Sequence, residues 1–282
     1  MQSIISRDKP QNQNTMPYLQ TPSVKLYYEE MGSGPETIVF SHGLLWSHKM
    51  FRAQMEHLSD RYRVLAYDHR GQGQSEVTPD GYDMDTLTDD ALALLDELGV
   101  ERCHFAGLSM GGFVAMRMAI RHPERLQSLI LLETSAQAEP QENVPRYRML
   151  NGIVKLFGAG AVKRPVLKIM FGQSFLQDEQ RQDLRQKWTR ELTANKRSVT
   201  RAVNGVINRD AVPAEQLATI SCPTLVVVGE EDVATVPEKS EYMARHIPGA
   251  ELVRIPRAGH TSTVEEPELI NQVLDRFLRQ AK

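Results

Sequence analysis

The chain has 282 residues, 41% of them hydrophobic, and a formal net charge of −3. That length suits one α/β domain with an insertion, or two domains at most, and the apolar share is enough for a large core. A near-neutral charge with no long lysine or arginine run leaves no nucleic-acid footprint, and no apolar run approaches the ~18 residues of a membrane helix.

Residues 1–18 are rich in Gln and Asn and carry Pro10 and Pro17, so a disordered extension is expected, with Met16 as a second candidate start. The polar opening holds no apolar core for a secretion signal, and a cytoplasmic protein is expected. Residues 24–29 alternate apolar and polar, the pattern of a half-exposed antiparallel strand. Residues 37–40 read as a short buried strand running into Ser41-His42-Gly43-Leu44-Leu45-Trp46. A helix over 50–58 and a strand over 63–67 follow. The strand ends in the polar glycine loop Asp68-His69-Arg70-Gly71-Gln72-Gly73-Gln74-Ser75. Gly71 and Gly73 do not make a dinucleotide fingerprint, because the third glycine and the following helix are missing. Asp68 and Arg70 are expected to tie this loop to its neighbours.

An amphipathic helix over 84–99 presents Leu87, Ala91, Leu94, Leu95 and Leu98 on one face, with Gly99 as its cap. Next comes an apolar strand ending at Phe105 and Ala106, then Gly107-Leu108-Ser109-Met110-Gly111, then helical periodicity to about Arg121. Strand, tight turn with Ser at its apex, and helix form the setting of a G-x-S-x-G nucleophile elbow. His122-Pro123 stops the helix, and 126–132 is the next strand. Alternating strands and helices over 37–132 predict a mostly parallel sheet flanked by helices, which places ligands at the carboxyl ends of its strands.

From 134 to 214 the rhythm changes to helices alone, over 147–157, 162–171, 178–194 and 198–208. This stretch reads as a helical cap, or lid, inserted before the last strands, with 19–133 and 215–282 as the core. Strands return at 224–228 and 250–255, and an amphipathic helix over 267–278 closes the chain. Cys103 and Cys222 sit in apolar, strand-like settings and read as buried free thiols.

Three residue types now fall into order. Ser109, Asp232 in Gly229-Glu230-Glu231-Asp232, and His260 in Pro256-Arg257-Ala258-Gly259-His260-Thr261 each follow a strand. A serine hydroxyl is a weak nucleophile near neutral pH and needs a base within hydrogen-bond reach. His260 would serve as that base, with Asp232 holding its tautomer. Glu230, Glu231 and Glu133, the last after the strand following the elbow, are the alternative acids. A His-Gly pair at a strand end is where such a site takes its second oxyanion donor. The backbone N–H groups of Leu44 and Met110 are the expected pair, with His42 bracing the loop. Leu45, Trp46, Met170 and Trp188 are candidate pocket residues, although for Trp46 and for the lid residues packing is an open alternative.

With these motifs the chain resembles an α/β-hydrolase fold serine hydrolase from about residue 20 onward. The segments 68–75, 107–112 and Gly229-Glu230-Glu231-Asp232-Val233-Ala234-Thr235-Val236-Pro237 are similar to 3-oxoadipate enol-lactonases and related bacterial esterases and lactonases. The resemblance implies no metal and no organic cofactor, and hydrolysis of a small-molecule carboxylic ester or lactone through an acyl-enzyme. A cofactor-free perhydrolase of the haloperoxidase type and a C–C bond hydrolase are alternatives on the same triad, and a non-catalytic ligand receptor is a third. Serine at the elbow disfavours haloalkane dehalogenases and epoxide hydrolases, which place Asp there. No H-E-x-x-H, C-x-x-C or P-loop supports metal or nucleotide chemistry.

Overall fold

The computed structural model describes residues 17–281. One sheet holds eight strands: β1 (Tyr18–Gln20), β2 (Lys25–Met31), β3 (Thr37–Ser41), β4 (Arg63–Tyr67), β5 (Cys103–Leu108), β6 (Leu126–Leu132), β7 (Thr224–Gly229) and β8 (Glu251–Ile255). Their spatial order is β1-β2-β4-β3-β5-β6-β7-β8. β3 through β8 are parallel, and β1 and β2 add an antiparallel edge. The central strands are predominantly apolar because both of their faces are covered. In β3, Ile38 and Phe40 enter the core on one face while Val39 enters the core on the other.

The helices are α1 (Arg52–Leu58), α2 (Met84–Glu97), α3 (Met110–Arg121), α4 (Val144–Phe157), α5 (Lys163–Met170), α6 (Gln173–Gln177), α7 (Gln182–Thr193), α8 (Thr200–Ile207), α9 (Ala214–Leu217), α10 (Pro237–His246), α11 (Ser262–Glu265) and α12 (Pro267–Gln280). Residues of α2, α3 and α10 cover one face of the sheet, and those of α1 and α12 the other. The fold is that of an α/β hydrolase. Its cap, α4 to α8, lies between β6 and β7. Val166, Phe171, Phe175 and Trp188 of the cap join the same buried cluster as Phe40, Trp46 and Phe51. Among the described residues no helix is long and apolar enough to cross a membrane.

Strand register places the loops that matter on one edge. Ser41 pairs with Gly107, Leu108 with Leu132, and Gly229 with Ile255, so the loops after these strands open together.

Some elements differ from the expectations. Of the extension expected over 1–18, residues 1–16 lie outside the described residues, while Tyr18 opens β1 and packs its ring edge-on against Tyr27 at 5.2 Å. Three residues are too few for a strand period to be legible. The helix expected over 178–194 is interrupted, because the Asp178 carboxylate caps a separate turn through the Gln180 N–H. Both cysteines are free, but Cys222 is only half-buried. Burial pushes the Cys103 thiol up to about 12.

Candidate active site

Ser109 stands between β5 and α3 with φ 52° and ψ −110°. A side chain at positive φ is strained and persists only where its surroundings hold it. Here the Ser109 N–H donates to the Leu132 carbonyl at 2.9 Å, and the Thr134 hydroxyl donates to the Ser109 carbonyl at 2.7 Å. A Cβ on Gly111 would strike the Ser41 carbonyl, so only glycine lets α3 start this close to β3.

His260 Nε2 lies 2.8 Å from Ser109 Oγ, and His260 Nδ1 lies 2.8 Å from Asp232 Oδ2. A carboxylate can only accept, so Nδ1 carries the proton and Nε2 is left to accept from the serine hydroxyl. All three residues are buried. Asp232 is gripped by its own loop: its Oδ1 accepts from the N–H groups of Ala234 and Thr235, and its Oδ2 from the Thr235 hydroxyl. Burial acts to raise its pKa, but His260 and these donors outweigh it and hold the carboxyl below its ordinary value. Gly229 ends β7 where a Cβ would collide with the Ala258 and Gly259 carbonyls, so glycine lets the Asp232 and His260 loops close on each other.

Glu133 also lies near this site, at φ 40°. Neither of its carboxyl oxygens has a hydrogen-bond partner. Full burial, with Asp232 and Glu265 nearby, raises its pKa well above the ordinary value. His260 has its hydrogen bond to Asp232 instead.

The loop after β3 is built around His42. The His69 N–H donates to His42 Nε2 at 3.0 Å, so His42 Nδ1 carries the proton and donates to the Gly43 carbonyl at 2.7 Å. Burial lowers the His42 pKa and keeps the ring neutral. A trans peptide is planar, so turning the Gly43 carbonyl toward His42 turns the Leu44 N–H the other way. Neither the Leu44 nor the Met110 N–H has an acceptor among the described residues. Leu45 follows at φ 71° and is clamped twice. Its N–H donates to Gln72 Oε1 at 2.8 Å, and its carbonyl accepts from Asn195 of the cap at 2.7 Å. The Gln72 amide also reaches Met110 Sδ at 3.7 Å, joining the two loops. Asp68 and Arg70 tie the glycine loop down. Asp68 accepts from His48 and Gln74, and Arg70 forms a two-pronged pair with Asp90, both N–O distances being 2.6 Å.

A cavity of about 1010 Å³, counting its open mouth, leads from Ser109 and His260 under the cap. Leu44, Leu45 and Met170 line it. Trp46 and Trp188 do not, which corrects their assignment to the pocket. Their rings meet edge-on at 5.6 Å, and Trp46 also meets Phe171 at 5.8 Å, so both serve the joint between core and cap. Sequence reasoning passed over Gln72, Asn195, Thr134 and Thr235. Only Thr235 had a local signal, standing three residues after an Asp whose side chain it can bond. Among the described residues no group of three His, Cys, Asp or Glu side chains could hold a metal ion.

A strained serine, joined through histidine to aspartate at the carboxyl edge of a mostly parallel sheet, defines a class. The chain belongs to the alpha/beta hydrolase fold family, which matches residues 36–267, and it is an enzyme of that class. Its similarity to individual proteins spans nearly the whole length. It is 34% identical over 267 residues to the AB hydrolase superfamily protein YisY of Bacillus subtilis, covering 92% of this chain and 98% of the relative. It is 31% identical over 251 residues to 3-oxoadipate enol-lactonase 1 of Acinetobacter baylyi, covering 88% and 91%. Among solved structures, a thermophilic esterase from Thermogutta terrifontis superposes with a TM-score of 0.86 at 31% identity, covering 94% of this chain and 98% of that one.

Proposed function

We propose that the protein hydrolyses a small-molecule carboxylic ester or lactone through an acyl-enzyme on Ser109. The observation that carries this reading is the unbroken relay of two 2.8 Å hydrogen bonds from Ser109 Oγ through His260 to Asp232. The Ser109 oxygen attacks the substrate carbonyl carbon, and its proton passes to His260 Nε2. Asp232 stabilises the imidazolium. The developing oxyanion is taken by the Leu44 and Met110 N–H groups, the latter at the positive end of α3. Collapse expels the alkoxide, which takes the proton from His260 and leaves Ser109 acylated. Water then attacks the acyl carbon with His260 as base, releasing the acid and restoring the serine. The esterase and enol-lactonase named among similar proteins support this choice of substrate class.

Trapping tests the reading. Acid quench during turnover of p-nitrophenyl butanoate, followed by peptide mass mapping, is expected to place one butanoyl group on the peptide carrying Ser109. Turnover with no adduct, or with the adduct elsewhere, contradicts it.

A further inference from the structure

We propose that this site selects substrates whose chain is uncharged and aliphatic, and excludes esters or lactones that carry a second, free carboxylate. The inference rests on the ester or lactone reading and narrows it.

The cavity wall supplied by the cap is mainly aliphatic, with Val154, Val162, Val166, Ile169 and Val199 among its members beside Tyr147 and Asn151. Two charged side chains, Glu139 and Arg209, reach the cavity. They form an ion pair: Arg209 Nη1 lies 2.9 Å from Glu139 Oε2, with both side chains almost fully buried, while Arg209 Nε has no hydrogen-bond partner among the described residues. Arg209 also donates to the Val206 carbonyl and lies over the Phe113 ring at 4.3 Å. Lys239 stands near Glu139 but outside the cavity lining. The pair therefore presents no net charge to a ligand. An entering carboxylate would lose its hydration beside Glu139 and would have to share the one guanidinium with it. Desolvating a charge without its own partner is strongly unfavourable. A methylene chain loses only apolar surface to water and gains from its removal.

The test compares kcat/KM for p-nitrophenyl acetate, butanoate and hexanoate with that for the mono-p-nitrophenyl ester of adipic acid, which has the six carbons of hexanoate with the terminal methyl replaced by a carboxylate. Rates are expected to rise about fourfold per methylene along the neutral series. The adipate ester is expected to fall at least about 100-fold below hexanoate. Equal or faster turnover of the adipate ester overturns the inference while leaving the ester reading intact. Absence of turnover on every ester, and on a matched pair of neutral and carboxylated lactones, defeats the reading itself. A second measurement addresses the cause. Glu139→Gln releases the Arg209 charge into the cavity, so the adipate-to-hexanoate ratio of kcat/KM is expected to rise at least about tenfold. An unchanged ratio in a folded variant shows that the ion pair is not what excludes the carboxylate.

Discussion

Asp232 bonds His260 and Glu133 lies near Asp232, and the residues around each carboxyl decide which can serve the ring. Asp232 is hydrogen-bonded to the ring and to its own loop, and it is held ionised. Glu133 is buried without a hydrogen-bond partner, and burial raises its pKa, which favours the neutral form. Asp232→Asn is therefore expected to lower kcat by about 10⁴, as a wrong tautomer does. Glu133→Gln, which replaces one neutral group with another, is expected to stay within about threefold of wild type; a larger loss than in Asp232→Asn would reverse the assignment of the acid. Gln72 acts through others. It holds the strained Leu45 N–H beside the Leu44 donor, so Gln72→Ala is expected to lower kcat by about tenfold with KM little changed. A change confined to KM would show that Gln72 shapes the pocket instead. The three relay residues were legible in the sequence because each follows an apolar strand and their order along the chain is characteristic. Gln72 was not, since its partners lie 27 and 38 residues away and only the folded loops bring them together. Trp46 and Trp188 could not be placed between pocket and packing for a related reason. An apolar ring beside a site fits lining and packing equally well until its direction is known.

At the scale of elements, the short helix α11 links the His260 loop to the cap. Its Glu265 carboxylate accepts from the Gly259 and Thr261 N–H groups on either side of His260, and from the Gly172 N–H of the cap. Burial raises its pKa from 4.5 to about 7 against the pull of these donors. The unfolded chain releases this proton near 4.5, while the folded protein keeps it to about 7. The stability it contributes is thus complete below pH 4.5 and is lost as pH rises through 7. Denaturant titrations of wild type and Glu265→Gln across pH 4.5 to 7.5 are expected to show their stability difference shifting steadily against wild type as pH rises; a constant difference would contradict the assignment. Nothing in the sequence marked this residue. The strands β3, β5, β6 and β7, by contrast, were plain as apolar runs because they are covered on both faces, and the cap was visible as a stretch of helices without strands.

At the scale of the whole molecule, cap and core are joined through a shared buried cluster. The cap's Phe171, Phe175 and Trp188 share a buried cluster with Phe40, Phe51 and Trp46 of the core, and Asn195 clamps the loop beside Ser109. Calorimetry is expected to show one unfolding transition; a separate, earlier transition for the cap would contradict this picture. The same arrangement places the serine at the wall of a cavity that opens under the cap. The account turns on that serine, and rapid-mixing kinetics with p-nitrophenyl acetate reach it most directly. Wild type is expected to release a burst of p-nitrophenol equal to the enzyme concentration, followed by a slower steady rate, and Ser109→Ala is expected to give neither. Turnover that survives in Ser109→Ala at a comparable rate would contradict the central claim and place the nucleophile elsewhere.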